Sequence, residues 1–166
     1  MYFKKIGLNF ESSKILSQIV ASSNNLVILN LSNNNLGNNG VSILADSFRQ
    51  SISLVSVDVS LNYIQSKGAN YLFDSLVFNY SISHLNISNN NEIHKNHIGR
   101  KGCEGLKNLL INNQILSILD ISDNLISEDG FNLLCQGLEH NLSLISLNLA
   151  NNYLPYNCIQ KLSLII

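Results

Sequence analysis

Tryptophan is absent, proline and methionine occur once each, and charged residues make up only 13% of this 166-residue chain. Each scarcity excludes something. Ten Lys and Arg stand against 11 Asp and Glu, giving a net charge of -1, which offers no electrostatic basis for binding nucleic acid or an anionic membrane. No apolar run approaches the ~20 residues of a membrane span; the terminal LSLII is far too short. The opening MYFKKIGLNFESSKIL has two lysines but lacks the apolar stretch of a signal peptide. Cys103, Cys135 and Cys158 show no paired or metal-type spacing. A disulfide framework, a metal centre and a cofactor are therefore not expected, and a reducing, cytoplasmic setting is.

What is abundant is hydrophobic residues, at 45%, and asparagine, with 27 copies. The first is enough for one domain with a sizeable core. The second is explained by spacing. LVILNLSNNNL begins at Leu26, LVSVDVSLNYI at Leu54, ISHLNISNNNE at Ile82, LSILDISDNLI at Leu116 and LISLNLANNYL at Leu144. The intervals are 28, 28, 34 and 28 residues, a period that signals a solenoid. Each phrase reads LxxLxLxxNxL, and its alternation suits a short strand with one buried face. The asparagines that follow, Asn34, Asn62, Asn90, Asn124 and Asn152, are assigned a structural role. A carboxamide both donates and accepts, so stacked copies can satisfy the backbone of neighbouring buried turns.

The second half of each unit predicts a helix. After Gly40, Gly68, Gly102 and Gly130, apolar residues recur at offsets of 1, 4 and 8: Val41, Leu44 and Phe48 in one unit, Phe131, Leu134 and Leu138 in another. Those offsets share one helical face. Asn79, Asn113 and Asn141 follow the helices, with Ser51 in their place earlier, and are expected as left-handed C-caps. Strand phrase, Asn, Gly and amphipathic helix together resemble ribonuclease inhibitor-type leucine-rich repeats, most closely in EDGFNLLCQGLEHNLSLISLNLANNYL. The resemblance implies an α/β leucine-rich repeat solenoid, a horseshoe with a parallel sheet on the concave side and helices on the convex side. Residues 1–166 read as a single repeat domain. Units 26–53, 54–81, 82–115 and 116–143 are full. Residues 1–25 read as a partial unit whose strand is missing, and 144–166 as a truncated one. Neither end shows the polar cap that solenoids normally carry. A fragment of a longer array, or end-to-end self-association, is the expectation.

The concave stripe is read as three rows: Ile28, Ser56, His84, Ile118 and Ser146; Asn30, Asp58, Asn86, Asp120 and Asn148; and Ser32, Ser60, Ser88, Ser122 and Ala150. Asp58 and Asp120 lie two units apart, on the order of 10 Å, too far for a shared acid–base task, and no nucleophile–base pair accompanies them. The third unit breaks the period. Seven residues separate Asn90 from Ile98 where other units have one, so Glu92 to His97 is the simplest insertion. It predicts a bulge on the strand-to-helix rim, a kind of loop that often carries function. His94, Lys95, His97, Arg100 and Lys101 gather there. A solvated, permissive insertion is the plain alternative. His94-x-x-His97 falls short of a metal-ligand set.

The expected function is a non-enzymatic protein–protein interaction module. Its expected contact residues are Asp58, His84 and Asp120 on the concave face and His94, Lys95, His97, Arg100 and Lys101 on the rim. Two alternatives stand. One is a small-GTPase regulator resembling Ran GTPase-activating proteins, with Arg100 as the rim arginine; the other is a ligand-sensing repeat segment of a larger NOD-like receptor.

Overall fold

The computed structural model describes residues 1–89 and 96–163. Among them helices and strands alternate: α1 (Phe10–Ser22), β1 (Ile28–Asn30), α2 (Gly37–Gln50), β2 (Ser56–Asp58), α3 (Ser66–Leu76), β3 (His84–Asn86), α4 (Gly99–Asn112), β4 (Ile118–Asp120), α5 (Glu128–Leu138), β5 (Ser146–Asn148) and α6 (Tyr156–Leu162). The five strands form one parallel sheet in sequence order. Its register is the sequence period itself: Leu29 pairs with Val57, Val57 with Leu85, Leu85 with Leu119 and Leu119 with Leu147. The chain is an α/β leucine-rich repeat solenoid with the sheet on its concave side. No helix among the described residues is long and apolar enough to cross a membrane.

The core lies between sheet and helices. The central residue of each of β1 to β4 is buried, and so are the helix positions at offsets 1, 4 and 8 from Gly40, Gly68 and Gly102. One glycine shows why the helix start must be small. A Cβ at Gly68 would sit 2.6 Å from the Asn38 Oδ1, and that oxygen accepts hydrogen bonds from the Gln65 and Gly68 amides. The first turn of α2 thus caps α3, satisfying N–H groups that no helix can pair internally.

The ladder asparagines work in one direction. Asn62 donates through Nδ2 to the Leu31 carbonyl of the preceding unit and to Val59 and Ser60 of its own, while its Oδ1 accepts from the Leu36 amide. Asn152 likewise reaches back, accepting from the Asn124 and Ile126 amides and donating to the Ile121 carbonyl. In the third unit the residue in this place is Asn96. Its Oδ1 accepts from Asn62 and Ile64, and its Nδ2 donates to Val59, Ile87 and Ser88. Asn90, expected there from sequence, lies outside the described residues. The insertion is corrected accordingly. His97 is back in register, bridging Gln65 and donating its amide to the Ile64 carbonyl, so the six extra residues precede Asn96.

Asn79, Asn113 and Asn141 are not left-handed caps. None has positive φ, and Asn113 is extended at φ -105. They form a second ladder on the helix-to-strand edge. Asn113 donates to the Leu76 and Asn79 carbonyls of the preceding unit and accepts from its own Ile115 and Leu116 amides. Asn79 and Asn141 repeat the pattern.

The strand half of the first unit is also present. Tyr2 bridges Asn30 in parallel, Phe3 and Lys5 donate to the Asn30 and Ser32 carbonyls, and Asn34 takes up Ile6, Leu8 and Phe3. Ile6 stands where later units have the ladder asparagine, which hid this strand from a pattern search.

Replacing a ladder carboxamide leaves several buried backbone groups unpaired. Asn62→Ala and Asn96→Ala should each destabilise the chain by about 3 kcal/mol, or roughly 10 °C in a thermal melt. A silent Asn96→Ala would refute its place in the ladder.

Candidate functional site

The concave surface is built by the outward residues of the short strands. Because strand side chains alternate, a buried Leu or Val at the centre turns both neighbours outward. A groove of about 440 Å³ runs across β1 to β4 and along Tyr2, bringing Asp58, His84 and Asp120 together with Ile28, Asn86 and Ile118. Three of the residues expected from sequence therefore share one surface. Tyr2 was missed; continuing the 28-residue interval backward from Asn30 would have found it.

The two carboxylates are not isolated. Asp58 Oδ2 accepts from Asn30 Nδ2 at 3.0 Å, and Asp120 Oδ2 accepts from Asn148 Nδ2 at 2.9 Å. Their Oδ1 atoms accept from the Ser60 and Ser122 amides two residues on. The parallel register places Asn86 between them, so no carboxylate neighbours another on an adjacent strand. The serine row is corrected: Ser32, Ser60, Ser88 and Ser122 are buried. Ser32 and Ser122 turn their hydroxyls to Asn30 Oδ1 and Asp120 Oδ1, so they brace the middle row rather than face a ligand. His84 is half-buried and hydrogen-bonded through Nδ1 to the Ser83 hydroxyl at 2.7 Å. Among the described residues, the outward positions of β2 to β4 and of the turn after β4 hold Asp58, Asp120 and Asp123 and no Lys or Arg.

The rim residues form a separate group. His97 is exposed beside Gln65. Arg100 and Lys101, expected ahead of the helix, lie in the first turn of α4. The Arg100 guanidinium is 3.4 Å from Glu104 and 3.9 Å from Asp129 of α5. Both partners are on helices, so Arg100 is directed along the convex side and not into the groove. His94 and Lys95 lie outside the described residues.

No family model matches the chain. Over 95% of its length it is 28% identical to Homo sapiens NACHT, LRR and PYD domains-containing protein 5, and it spans 15% of that protein. A segment of 63 residues, 38% of the chain, is 40% identical to Homo sapiens NACHT, LRR and PYD domains-containing protein 13, spanning 6% of it. The chain thus corresponds to a small part of these relatives. Among solved structures, leiomodin-1 actin-binding site 2 superposes with a TM-score of 0.75 at 14% identity, covering 94% of this chain and 86% of that one. The tropomodulin C-terminal domain of Caenorhabditis elegans gives 0.70 at 15% identity, covering 94% and 90%. Together these likenesses support leucine-rich repeats as the repeat class. They do not single out the ribonuclease inhibitor type.

The thiols offer no nucleophile. Cys103, Cys135 and Cys158 are free and buried. Burial pushes the Cys103 thiol from the usual 9.0 to about 12. Cys135 and Cys158 are raised too, again mainly by burial and against the opposing pull of Lys161. Native protein at pH 8 should leave Cys103 unlabelled by a thiol reagent that modifies it fully in denaturant; rapid native labelling would contradict the packing. A folded thiol that holds its proton longer than the unfolded one stabilises fully below the unfolded value, and that contribution disappears as pH climbs to the folded value. Stability should fall between pH 9.0 and about 12, and the fall should be shallower in Cys103→Ala when melts are compared across that range.

Proposed function

We propose that the chain is a protein-recognition module whose concave groove accepts a cationic side chain of a protein partner. One observation carries this reading: Asp58 and Asp120 lie in the same groove as the apolar Ile28 and Ile118, with His84 between them and no Lys or Arg among the described residues that line it. A partner lysine or arginine would interact with the carboxylates, and neighbouring apolar side chains of the partner would pack on the isoleucines and His84. His97 and Lys101 are the outer contacts of this reading among the described residues of the rim. Electrostatic complementarity of this kind sets specificity and association rate more than affinity. Solenoids in general use such extended concave faces. The buried free thiols suit a reducing, cytoplasmic compartment.

A second reading has its own support. The similarity to NACHT, LRR and PYD domains-containing protein 5 runs along 95% of the chain, which favours a sensing repeat segment of a larger protein. A transcript that continues the reading frame into a nucleotide-binding domain would establish that architecture. Actin binding belongs to the leiomodin-1 structure; at 14% identity that likeness carries the fold and not the partner. No observation favours the GTPase-regulator reading, and Arg100, on which it rests, is engaged by Glu104.

The test uses neutral, nearly isosteric changes. Asp58→Asn with Asp120→Asn should lower retention of partner proteins from a cell lysate by at least ~10-fold, the scale of a lost interfacial charge pair, while the melting temperature stays close to that of the parent. Retention unchanged by the pair but lost in Arg100→Ala with Lys101→Ala would move the contact to the rim.

A further inference from the structure

The edge opposite the strand-to-helix rim, where helices hand over to strands, carries apolar side chains that nothing in the described chain covers. The second asparagine ladder sets them in line. One position after it stand Ile52, Tyr80, Gln114 and Leu142; Ile52 is 79% exposed, Tyr80 80% and Leu142 94%. Three positions further along stand Val55, Ser83, Ser117 and Ile145, the last 86% exposed. At the helix ends the row is Arg49, Val77, Ile111 and Glu139. A groove of about 440 Å³ opens at the middle of this edge, where Val77, Phe78 and Tyr80 lie beside the polar Arg49, Asp74 and Asn112.

We infer that this edge is a homodimer interface, occupied by a second copy of the chain turned antiparallel. The two-fold axis runs from strand side to helix side, between the units of Asn79 and Asn113. Such an axis returns each row to itself in reverse order. Arg49 then meets Glu139 of the other copy, Val77 meets Ile111, Ile52 meets Leu142 and Val55 meets Ile145. Tyr80 meets Gln114 near the centre, where the groove lies. Charge faces opposite charge and, apart from Tyr80 against Gln114, apolar faces apolar, the self-complementarity of an isologous contact. Neither Arg49 nor Glu139 has an ion-pair partner among the described residues.

The register is specific. Moving the axis one unit toward the N-terminus sets Arg49 against Val77. One unit the other way sets Glu139 against Ile111. Both place a charge against an apolar side chain without compensation. The antiparallel arrangement is closed, so it stops at two copies, unlike head-to-tail stacking of solenoid ends, which is open. It also leaves the concave groove of each copy free, so it stands independently of the reading above.

The experiment is sedimentation equilibrium of the 166-residue chain across micromolar concentrations. A reversible dimer is expected. Arg49→Glu and Glu139→Arg should each weaken it by at least ~10-fold, and the two together should restore it. Leu142→Asp should leave a monomer. These side chains are exposed, so circular dichroism and melts should match the parent and exclude misfolding as the cause. A chain that stays monomeric overturns the inference. So does a dimer indifferent to Leu142→Asp, a double reversal no better than either single one, or an open series of larger oligomers.

Discussion

Everything in this structure depends on buried carboxamides that join one turn to the turn before it. A solenoid unit changes direction at both edges of its sheet, and each bend leaves amide and carbonyl groups facing the core. An unpaired buried group of that kind costs about as much as a lost hydrogen bond. Asparagine resolves this because one short side chain holds a donor pair and an acceptor. In Asn62 the oxygen serves Leu36 and the nitrogen serves Leu31, both in the preceding unit. In Asn113 the nitrogen serves Leu76 and Asn79. The two ladders hold the solenoid along both edges, and the strands between them need only three residues each.

This constraint explains what the period tolerates. Leu61, Tyr63, Asp123 and Leu125 all adopt positive φ, a conformation that bulky side chains rarely take. They hold it because ladder bonds fix the turn on either side. Asn33 shares the conformation of Leu61 and Asp123, while in the units without a counterpart of Tyr63 and Leu125 the positive φ falls two residues later, at Gly37 and Gly99. In register α2 and α4 begin one residue earlier than α3 and α5 and end two residues later, so they run to 14 residues against 11. The six extra residues of the third unit enter just before its ladder position, so Asn96 still closes onto Val59. Length can be added on the surface at little entropic cost, provided the carboxamide reaches its place.

Much of this was legible in the sequence. The period, the helical core face and the ladder role of asparagine follow from spacing, because the same physical need recurs at each unit, and the parallel sheet was what the resemblance to leucine-rich repeats implied. What could not be read was local. Asn89, Asn90, Asn91 and Asn96 are chemically identical candidates for one ladder place, and only hydrogen-bond geometry separates them. The N-terminal strand lacks the leucine pattern and the asparagine, so only the 28-residue interval pointed to it, and the Tyr2–Asn30 bridge shows it. The second ladder was visible as a recurrence, but an asparagine after a helix has two uses, backbone cap or bridge, and sequence does not choose between them. On the concave face Asp58, His84 and Asp120 were found by register. The serine row was misread as open because alternation predicts which way a side chain points and not whether the next turn covers it.

The surfaces left over are consequences of the same economy. A ladder satisfies the backbone internally, so it relieves the outward strand positions and the exposed edge positions of structural duty. On the concave face that freedom is used for polarity: Asp58 and Asp120 alternate with Asn30, Asn86 and Asn148, and each carboxylate is held by an asparagine amide. Holding a carboxylate this way aims it without a buried cation, which leaves it available to a partner. On the helix-to-strand edge the freedom is used for apolar side chains instead, and Ile52, Tyr80 and Leu142 stand out from a frame braced by the Asn79, Asn113 and Asn141 ladder. Single exposed apolar residues are common on protein surfaces, but a row of them in register along one edge forms a strip that a second surface can cover. A frame that repeats every unit offers, by antiparallel pairing, a surface of matching pitch in another copy of itself.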